Sequence, residues 1–240
     1  RMLRQIREDD KVDAVVFRVS SPGGSHEASD TIAHEVKLLS EAGIPVVASM
    51  GDVAASGGYY VSMYADLVMA QPTTITGSIG VAGGKLVFKE LMNNFGVTTD
   101  VLKYGDNATL LSMYSLPSEA EKVEFGKMLD SIYEDFTTSA MEARELDIEA
   151  IDRVARGRVW TGVDAVENGL IDELGGLYEA IHRAGELAGA AKDAELSIEI
   201  YPRKKTFLEL LKQPAGSMFT EVRKSLATMI DLMILADEIG

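Results

Sequence analysis

Ser56 is the residue best suited to covalent chemistry, because small residues surround it in the segment GDVAASGGYY at residues 51–60. The apolar run before it, at residues 45–50, predicts a strand, and residues 54–64 are predicted to form a helix. A helix N-terminus offers free N–H groups and a positive dipole end, which favour the oxyanion formed when a serine attacks a carbonyl. The segment therefore predicts a serine nucleophile, although a serine in this position is also typical of a helix cap.

A second glycine-rich turn, SSPGGS at residues 20–25, also directly follows a predicted strand. Gly23 and Gly24 allow a bound carbonyl to approach the backbone closely, since glycine has no Cβ. Their N–H groups can donate to an oxyanion, and losing one such donor typically costs about 2.7–4 kcal/mol of transition-state stabilisation. Alone, the segment is typical of an ordinary turn. Ligands bind at the carboxyl ends of parallel strands, so the two turns together predict one shared site.

The elements that must position these turns alternate between strand and helix. Between the first two strands, residues 27–42 have helical spacing that stops at Gly43. Apolar runs predict strands at residues 13–19, 45–50 and 67–70, with weaker repeats at residues 98–103 and 159–172. Strands separated by helices predict parallel βαβ units, and hence an α/β fold with a mainly parallel sheet.

A long helix is predicted in the second half of the chain. Ser118 and Glu121 fit a capping box at its start, and the helical pattern runs to about Glu145. We expect this helix to project or to pack between subunits. The apolar positions that define its packing face are Val123, Met128 and Ile132.

The chain is predicted to divide into a domain over residues 1–202 and a helical C-terminal extension over residues 203–240. The extension has many apolar residues, namely Leu208, Leu211, Phe219, Val222, Leu226, Met229, Ile230 and Met233. Such a surface would be costly if it were exposed on a monomer. We therefore expect a homo-oligomer with these helices at the interface.

Composition excludes several classes of function. The net charge of −15 disfavours nucleic-acid binding, because an acidic surface repels phosphate. The absence of cysteine excludes disulfides and a cysteine nucleophile. His26, His34 and His182 are scattered, so neither a metal site nor a cofactor is predicted. The helix-like stretch that begins abruptly at Arg1 predicts that the chain is a piece of a longer protein.

Several ordered motifs resemble the signal peptide peptidase A (protease IV) family. The motifs are SSPGGS, GDVAASGGYYVS, TGSIGV, GRVWTG and an AVENGLID run that ends at Asp172. The resemblance covers about residues 12–187. It implies a Clp-protease/crotonase-like fold and a serine endopeptidase that degrades cleaved signal peptides or other membrane-associated hydrophobic peptides. It also implies a location at the inner membrane, on the periplasmic or extracytoplasmic face, with the anchor outside this chain.

The same resemblance implies roles for individual residues. Ser56 would be the nucleophile, and the N–H groups of Gly57 and of Gly23 or Gly24 would form the oxyanion hole. The family uses a Ser/Lys dyad. Tyr59 and Tyr60 are interpreted as packing residues of the nucleophile helix rather than as reacting groups.

The expected lysine is missing from the position that single-length members of the family use. There the segment at residues 103–108, KYGDNA, has Ala108 in the lysine position. In double-length members the N-terminal half carries the lysine and the C-terminal half the serine, and this chain resembles the C-terminal half. We therefore expect the base from a missing N-terminal half or another subunit. Lys85, interpreted as the exposed start of a helix, and Lys103, interpreted as a strand-end surface charge, are weaker local candidates.

Two other functions stay open on the sequence alone. A crotonase-like acyl-CoA enzyme shares the fold and stabilises an oxyanion with backbone N–H groups, but needs no serine nucleophile. A non-catalytic half with a role in assembly is the second alternative, because the base is not evident. His26 is a possible base close to the SSPGGS turn, but a histidine at that position more commonly begins a helix.

Overall fold

The computed structural model describes residues 1–202. The predicted helical extension over residues 203–240, with its proposed oligomer contacts, lies outside the described residues. One compact unit comprises Arg1 and Leu3–Leu196, and the described residues 197–202 fall outside it. The predicted boundary between residues 202 and 203 stays a prediction.

Six strands and eight helices form the described part of the chain. The strands are β1 (Val15–Ser21), β2 (Val46–Ala55), β3 (Leu67–Ala70), β4 (Ile75–Gly77), β5 (Val159–Thr161) and β6 (Glu173–Leu174). The helices are α1 (Met2–Arg7), α2 (His26–Glu41), α3 (Gly57–Tyr60), α4 (Lys89–Asn94), α5 (Glu119–Arg144), α6 (Ile148–Val154), α7 (Gly162–Glu167) and α8 (Leu177–Leu187).

The long strand β2 organises the sheet. On one side it pairs with β1, and on the other it pairs first with β3, with Val47 opposite Leu67, and then with β4, with Val53 opposite Ile75. β6 extends the sheet beyond β3, and β5 pairs with β4 as an antiparallel edge. All the other pairings are parallel, which confirms the predicted α/β fold with a mainly parallel sheet.

The first half of β2 is a continuous apolar run because both faces of the sheet are covered there. Val46, Val47 and Met50 are completely buried. Helix α8 covers the sheet where Ala180 and Ala184 contact a buried cluster that includes Val47 and Met69. The small side chains of Ala180 and Ala184 allow α8 to approach the strands closely. This packing buries β2 in the core.

The predicted strands over residues 13–19, 45–50 and 67–70 are confirmed, but β2 continues five residues further than predicted, to Ala55. The helix predicted over residues 54–64 was wrong in its start, and α3 spans only Gly57–Tyr60. The reason is that Val53, Ala54 and Ala55 pair with β4. Tertiary pairing thus overrides the weak strand preference of the two alanines.

The strand predicted over residues 98–103 was wrong. Those residues form no strand, and Val101 and Leu102 are 48% and 102% exposed. A strand of this sheet gains stability from packing a face against the core, and these side chains have no such burial in the described part of the chain, so their β preference alone forms no strand. Within the run predicted at residues 159–172, only residues 159–161 form a strand, and α7 follows directly.

Helix α5 begins as predicted. The Ser118 hydroxyl accepts from the Glu121 N–H, and the Glu121 carboxylate accepts from the Ser118 N–H at 2.8 Å, which confirms the capping box. The helix packs through Phe136 and Ala140 in its second half. The predicted packing face in its first half is open in the described part of the chain, where Val123 is 58% exposed.

Replacing the capping hydroxyl is expected to weaken the start of α5. Ser118→Ala removes the acceptor of the Glu121 N–H and should lower the free energy of unfolding by about 1 kcal/mol. Urea denaturation measures the change. Ser131→Ala, at an exposed position within the same helix, is the matched control and should cause no loss, because alanine has the higher helix propensity. Equal losses in both variants would contradict the capping role.

Candidate active site

Ser56 lies at a sharp turn between β2 and α3. Its N–H donates to the Gly77 carbonyl of β4 at 2.9 Å, and its own carbonyl accepts from the Tyr60 N–H at 2.9 Å. Held between these two bonds, Ser56 has φ 51° and ψ −120°. Non-glycine residues rarely adopt such a positive φ, and holding one there costs about 1–3 kcal/mol. Ser56 occupies the N-cap position of α3, but its side chain makes no capping hydrogen bond, so the hydroxyl does not serve as a cap.

The SSPGGS turn lies directly against Ser56. A Cβ on Gly23 would lie 2.8 Å from Ser56 Cβ, 3.1 Å from Ser56 Oγ and 3.0 Å from the Gly57 nitrogen. A Cβ on Gly57 would lie 3.2 Å from the Gly24 nitrogen. The structure thus brings together all four residues predicted for the site, and the contact requires glycine on both sides.

Two N–H groups at this contact are available to a ligand. Among residues 1–202, neither the Gly24 nor the Gly57 N–H has a hydrogen-bond acceptor. The Gly23 N–H is engaged, since it donates to Ser21 Oγ at 3.2 Å. Gly23 has φ +117°, which glycine adopts readily. This conformation turns the chain so that the next N–H, that of Gly24, lies beside Gly57.

A groove of about 360 Å³ opens beside this contact. Gly23, Gly24 and Gly57 line one part of it. The rest is lined by the apolar residues Phe17, Val19, Ala28, Ile32 and Val61 and by the polar residues Arg18, Ser20, Ser21, Ser25 and Ser29. Its size is within the range of small-ligand pockets, which is about 300–1,000 Å³. An apolar side chain next to the backbone N–H groups would fit this lining.

No general base contacts Ser56 in the described part of the chain, where its hydroxyl has no hydrogen-bond partner. Lys85 donates to the Thr109 carbonyl at 3.1 Å. Its interpretation as the exposed start of a helix was wrong, because Lys85 is half-buried in a loop before α4. Lys103 is exposed as expected, but it lies in a loop and not at a strand end. Ala108, next to Thr109, is also exposed.

The two tyrosines after Ser56 are buried, as predicted for packing residues. The Tyr59 hydroxyl donates to the Leu170 carbonyl at 3.0 Å, and the Tyr60 hydroxyl lies among side chains of α2 and α5. Burial raises the pKa of both phenols, so both stay protonated. His26 begins α2, as expected, and its Nε2 lies 3.1 Å from Asp135 Oδ2.

The sequence interpretation missed an exposed apolar surface over residues 86–128, here called the apolar flank. Its members share large side chains and exposure above a third in the described part of the chain. They are Leu86, Phe88, Leu91, Phe95, Val97, Val101, Leu102, Tyr104, Leu111, Met113, Tyr114, Leu116, Val123 and Met128. This concentration exceeds the usual scatter of surface apolar residues. The available signal was a run of apolar residues without a helical or strand period.

Comparisons with known proteins agree with this geometry. The model of the family described as Peptidase family S49 matches residues 39–191 of this chain. The chain belongs to peptidase family S49. It is 38% identical over 239 residues to Protease 4 of Salmonella typhi and 36% identical over 236 residues to the chloroplastic serine protease SPPA of Arabidopsis thaliana, covering 98% of this chain in both. A putative signal peptide peptidase SppA of Enterococcus faecium is 36% identical over 179 residues, which is 75% of this chain and 52% of the relative.

The S49 assignment confirms the resemblance to the signal peptide peptidase A family. The chain spans only 37% of the Salmonella relative and 35% of the Arabidopsis relative. A solved structure of a ClpP1 mutant from Listeria monocytogenes has a TM-score of 0.50 at 16% identity, covering 75% of this chain and 87% of that chain. This likeness confirms the predicted Clp-protease-like fold. The family assignment favours the peptidase over the crotonase-like acyl-CoA enzyme.

The close approach of the two turns is testable with a matched pair of helical glycines. A Cβ on Gly58 would lie 2.4 Å from the Ser21 carbonyl oxygen, whereas a Cβ on Gly126 would meet nothing within 4 Å. Gly58→Ala should therefore lower the free energy of unfolding by about 1–3 kcal/mol. Gly126→Ala should raise it by about 0.4–1 kcal/mol. Urea denaturation measures both, and an unchanged stability of Gly58→Ala would contradict the described contact.

Proposed function

We propose that this S49 chain is the serine-bearing part of a serine endopeptidase, with Ser56 as the nucleophile. The observation that carries the proposal is the contact at Ser56. A strained serine without a capping role lies against the SSPGGS turn, beside the N–H groups of Gly24 and Gly57, which have no acceptor among residues 1–202. Backbone donors fixed in this way are suited to stabilising an oxyanion.

The arrangement supports acyl transfer in two steps. Ser56 Oγ attacks the scissile carbonyl carbon while its proton passes to a general base. The carbonyl oxygen becomes an oxyanion that accepts from the Gly57 and Gly24 N–H groups, and Gly23 allows this approach because it has no side chain. The tetrahedral intermediate collapses when the base returns the proton to the leaving amine. Water then hydrolyses the acyl-enzyme by the same route.

The base is proposed to be a lysine from outside this chain, in a missing N-terminal half-domain or another subunit. Lysine accepts a proton only when neutral, and burial lowers its pKa from about 10.4. The proposal is supported by the unpartnered Ser56 hydroxyl among the described residues and by relatives of nearly three times this length. The apolar flank offers exposed apolar side chains for contact with a half-domain or a second copy.

The proposed substrates are apolar peptides such as cleaved signal peptides. The apolar residues Phe17, Val19 and Ile32 in the groove beside Gly23 support this class, as does the name of the Enterococcus relative, a putative signal peptide peptidase. The proposed location is the periplasmic or extracytoplasmic face of the inner membrane. Among residues 1–202, no helix combines the length and the apolar character that crossing a bilayer requires.

A non-catalytic role in assembly is the second candidate. The observation that favours it is that no lysine, histidine or carboxylate contacts the Ser56 hydroxyl in the part of the chain that the structure describes. In that case the strained conformation of Ser56 would have no catalytic use. Labelling of Ser56 by a fluorophosphonate in the assembled protein separates the two candidates, because an assembly role requires no reactive serine.

Substitutions at Ser56 should separate activity from stability. Ser56→Ala and Ser56→Gly are both expected to abolish peptide cleavage by the assembled enzyme, because both remove the nucleophile. Ser56→Gly should be more stable than Ser56→Ala by about 1–3 kcal/mol, since only glycine adopts φ 51° without strain. Cleavage of an apolar reporter peptide and urea denaturation measure the two effects. Surviving cleavage in either variant would reject Ser56 as the nucleophile.

The isolated chain should be nearly inactive. A positioned base contributes about 10²–10⁴-fold, so turnover should be at least about 100-fold lower without the lysine-bearing half and should recover when that half is added. Turnover of an apolar reporter peptide is measured with Lys85→Ala and Lys103→Ala beside the unchanged chain. If the isolated chain turns over robustly and either variant loses that turnover, the base is local and the interpretation of Ala108 is wrong.

A further inference from the structure

Asp135 of α5 contacts side chains from both elements that carry the site. Its Oδ2 lies 3.1 Å from His26 Nε2, and the Tyr60 hydroxyl donates to the same Oδ2 at 3.0 Å. His26 is the first residue of α2, two positions after Gly24. Tyr60 is the last residue of α3, and its N–H donates to the Ser56 carbonyl. One carboxylate oxygen therefore connects the helix after the SSPGGS turn to the helix after the nucleophile.

The Tyr60 hydroxyl has a single proton to donate. Asp135 at 3.0 Å is nearer than Asp30 Oδ1 at 3.3 Å, and Ser139 Oγ at 3.2 Å can donate to the phenol oxygen. Burial raises the pKa of Tyr60, so the phenol remains a donor. Phe136 packs against the ring at 4.9 Å between centroids. These contacts fix the Tyr60 ring, and through it the start of α3.

His26 is held from two directions. Its ring lies edge-on to Tyr60, with the centroids 5.5 Å apart, and Nε2 faces the Asp135 carboxylate. The distance from Nε2 to Asp135 Oδ2 is 3.1 Å, and the imidazole nitrogen is a polar partner that an alanine at this position would lack. Because α2 starts at His26, the backbone that carries this ring lies two residues from Gly24.

We propose that His26, Tyr60 and Asp135, the Asp135 network, are positioning residues that set the separation between the Gly24 and Gly57 N–H groups. The network does not touch the Ser56 hydroxyl, and it acts through the backbone of the two turns. The proposal rests on the proposed function, because it assigns these N–H groups to the oxyanion hole. It gives α5 a role in the geometry of the site, although α5 contributes no reacting group.

The first test compares variants of the assembled enzyme. Losing an oxyanion donor costs about 10²–10³-fold in kcat, so misplacing two donors with His26→Ala is expected to lower kcat about 10-fold with little change in KM. His26→Gln restores an uncharged N–H near the position of Nε2 and should recover kcat to within about 3-fold of the unchanged enzyme. Equal kcat losses in the alanine and glutamine variants, or no loss in either, would overturn the proposal.

A matched control separates positioning from general packing of α2 on α5. Lys37 Nζ of α2 pairs with Glu142 Oε1 of α5 at 2.7 Å. This ion pair belongs to the same α2–α5 interface, at the end that is further from the glycines. Lys37→Ala removes this α2–α5 contact and is expected to leave kcat and KM unchanged. A kcat loss in Lys37→Ala as large as that in His26→Ala would show that the network only packs the helices, and would overturn the proposal.

The second test does not require activity. In the full chain, amide NMR signals of Gly24 and Gly57 should shift in His26→Ala and stay near their original positions in His26→Gln and Lys37→Ala. Unchanged glycine signals in His26→Ala would overturn the positioning role, and this result would not depend on whether the chain is a peptidase. Conversely, cleavage that survives Ser56→Ala would reject the proposed function while the NMR result still reported on the network.

Discussion

The contact between the ends of β1 and β2 depends on backbone atoms approaching more closely than any side chain would allow. Gly57 and Gly58 lie against Gly23, Gly24 and the Ser21 carbonyl, where an added Cβ would fall 2.4–3.3 Å from its neighbours. Parallel pairing of β1 with β2 brings the two turns to the same edge of the sheet. The glycines then allow the two turns to touch, so that Gly23 lies against Ser56 and the Gly24 nitrogen lies beside Gly57.

The contacts around the two turns also maintain the strained backbone conformation of Ser56. β4 accepts the Ser56 N–H on one side, α3 begins on the other, and the buried Tyr59 and Tyr60 hold α3 against the core. A backbone conformation that costs about 1–3 kcal/mol persists because these surroundings determine it. Helix α5 contributes through Asp135, and its first half carries the exposed Val123 and Met128 of the apolar flank. A partner bound to Val123 or Met128 would therefore contact the helix that also carries Asp135.

The sequence predicted the strands whose residues are strongly apolar, because burial on both faces leaves an unbroken run such as that of Val46 to Met50. It also predicted the capping box at Ser118, which is a local pattern. It did not predict that Ala54 and Ala55 belong to β2, since their pairing with β4 is a tertiary effect. The contact between His26 and Asp135 joins residues far apart in the sequence, and no local pattern reports it. The four residues expected at the site lie together, whereas the φ of Ser56 became evident only from the structure.

The central claim is that Ser56 is a nucleophile whose base comes from outside this chain. The most direct measurement is peptide mapping by mass spectrometry after brief exposure to a fluorophosphonate, with and without the lysine-bearing half. We expect the adduct on Ser56, at a rate that rises by about 100-fold or more when that half is present. An adduct on a different serine would contradict the assignment of the nucleophile. Equally fast labelling of Ser56 in the isolated chain would contradict the external base.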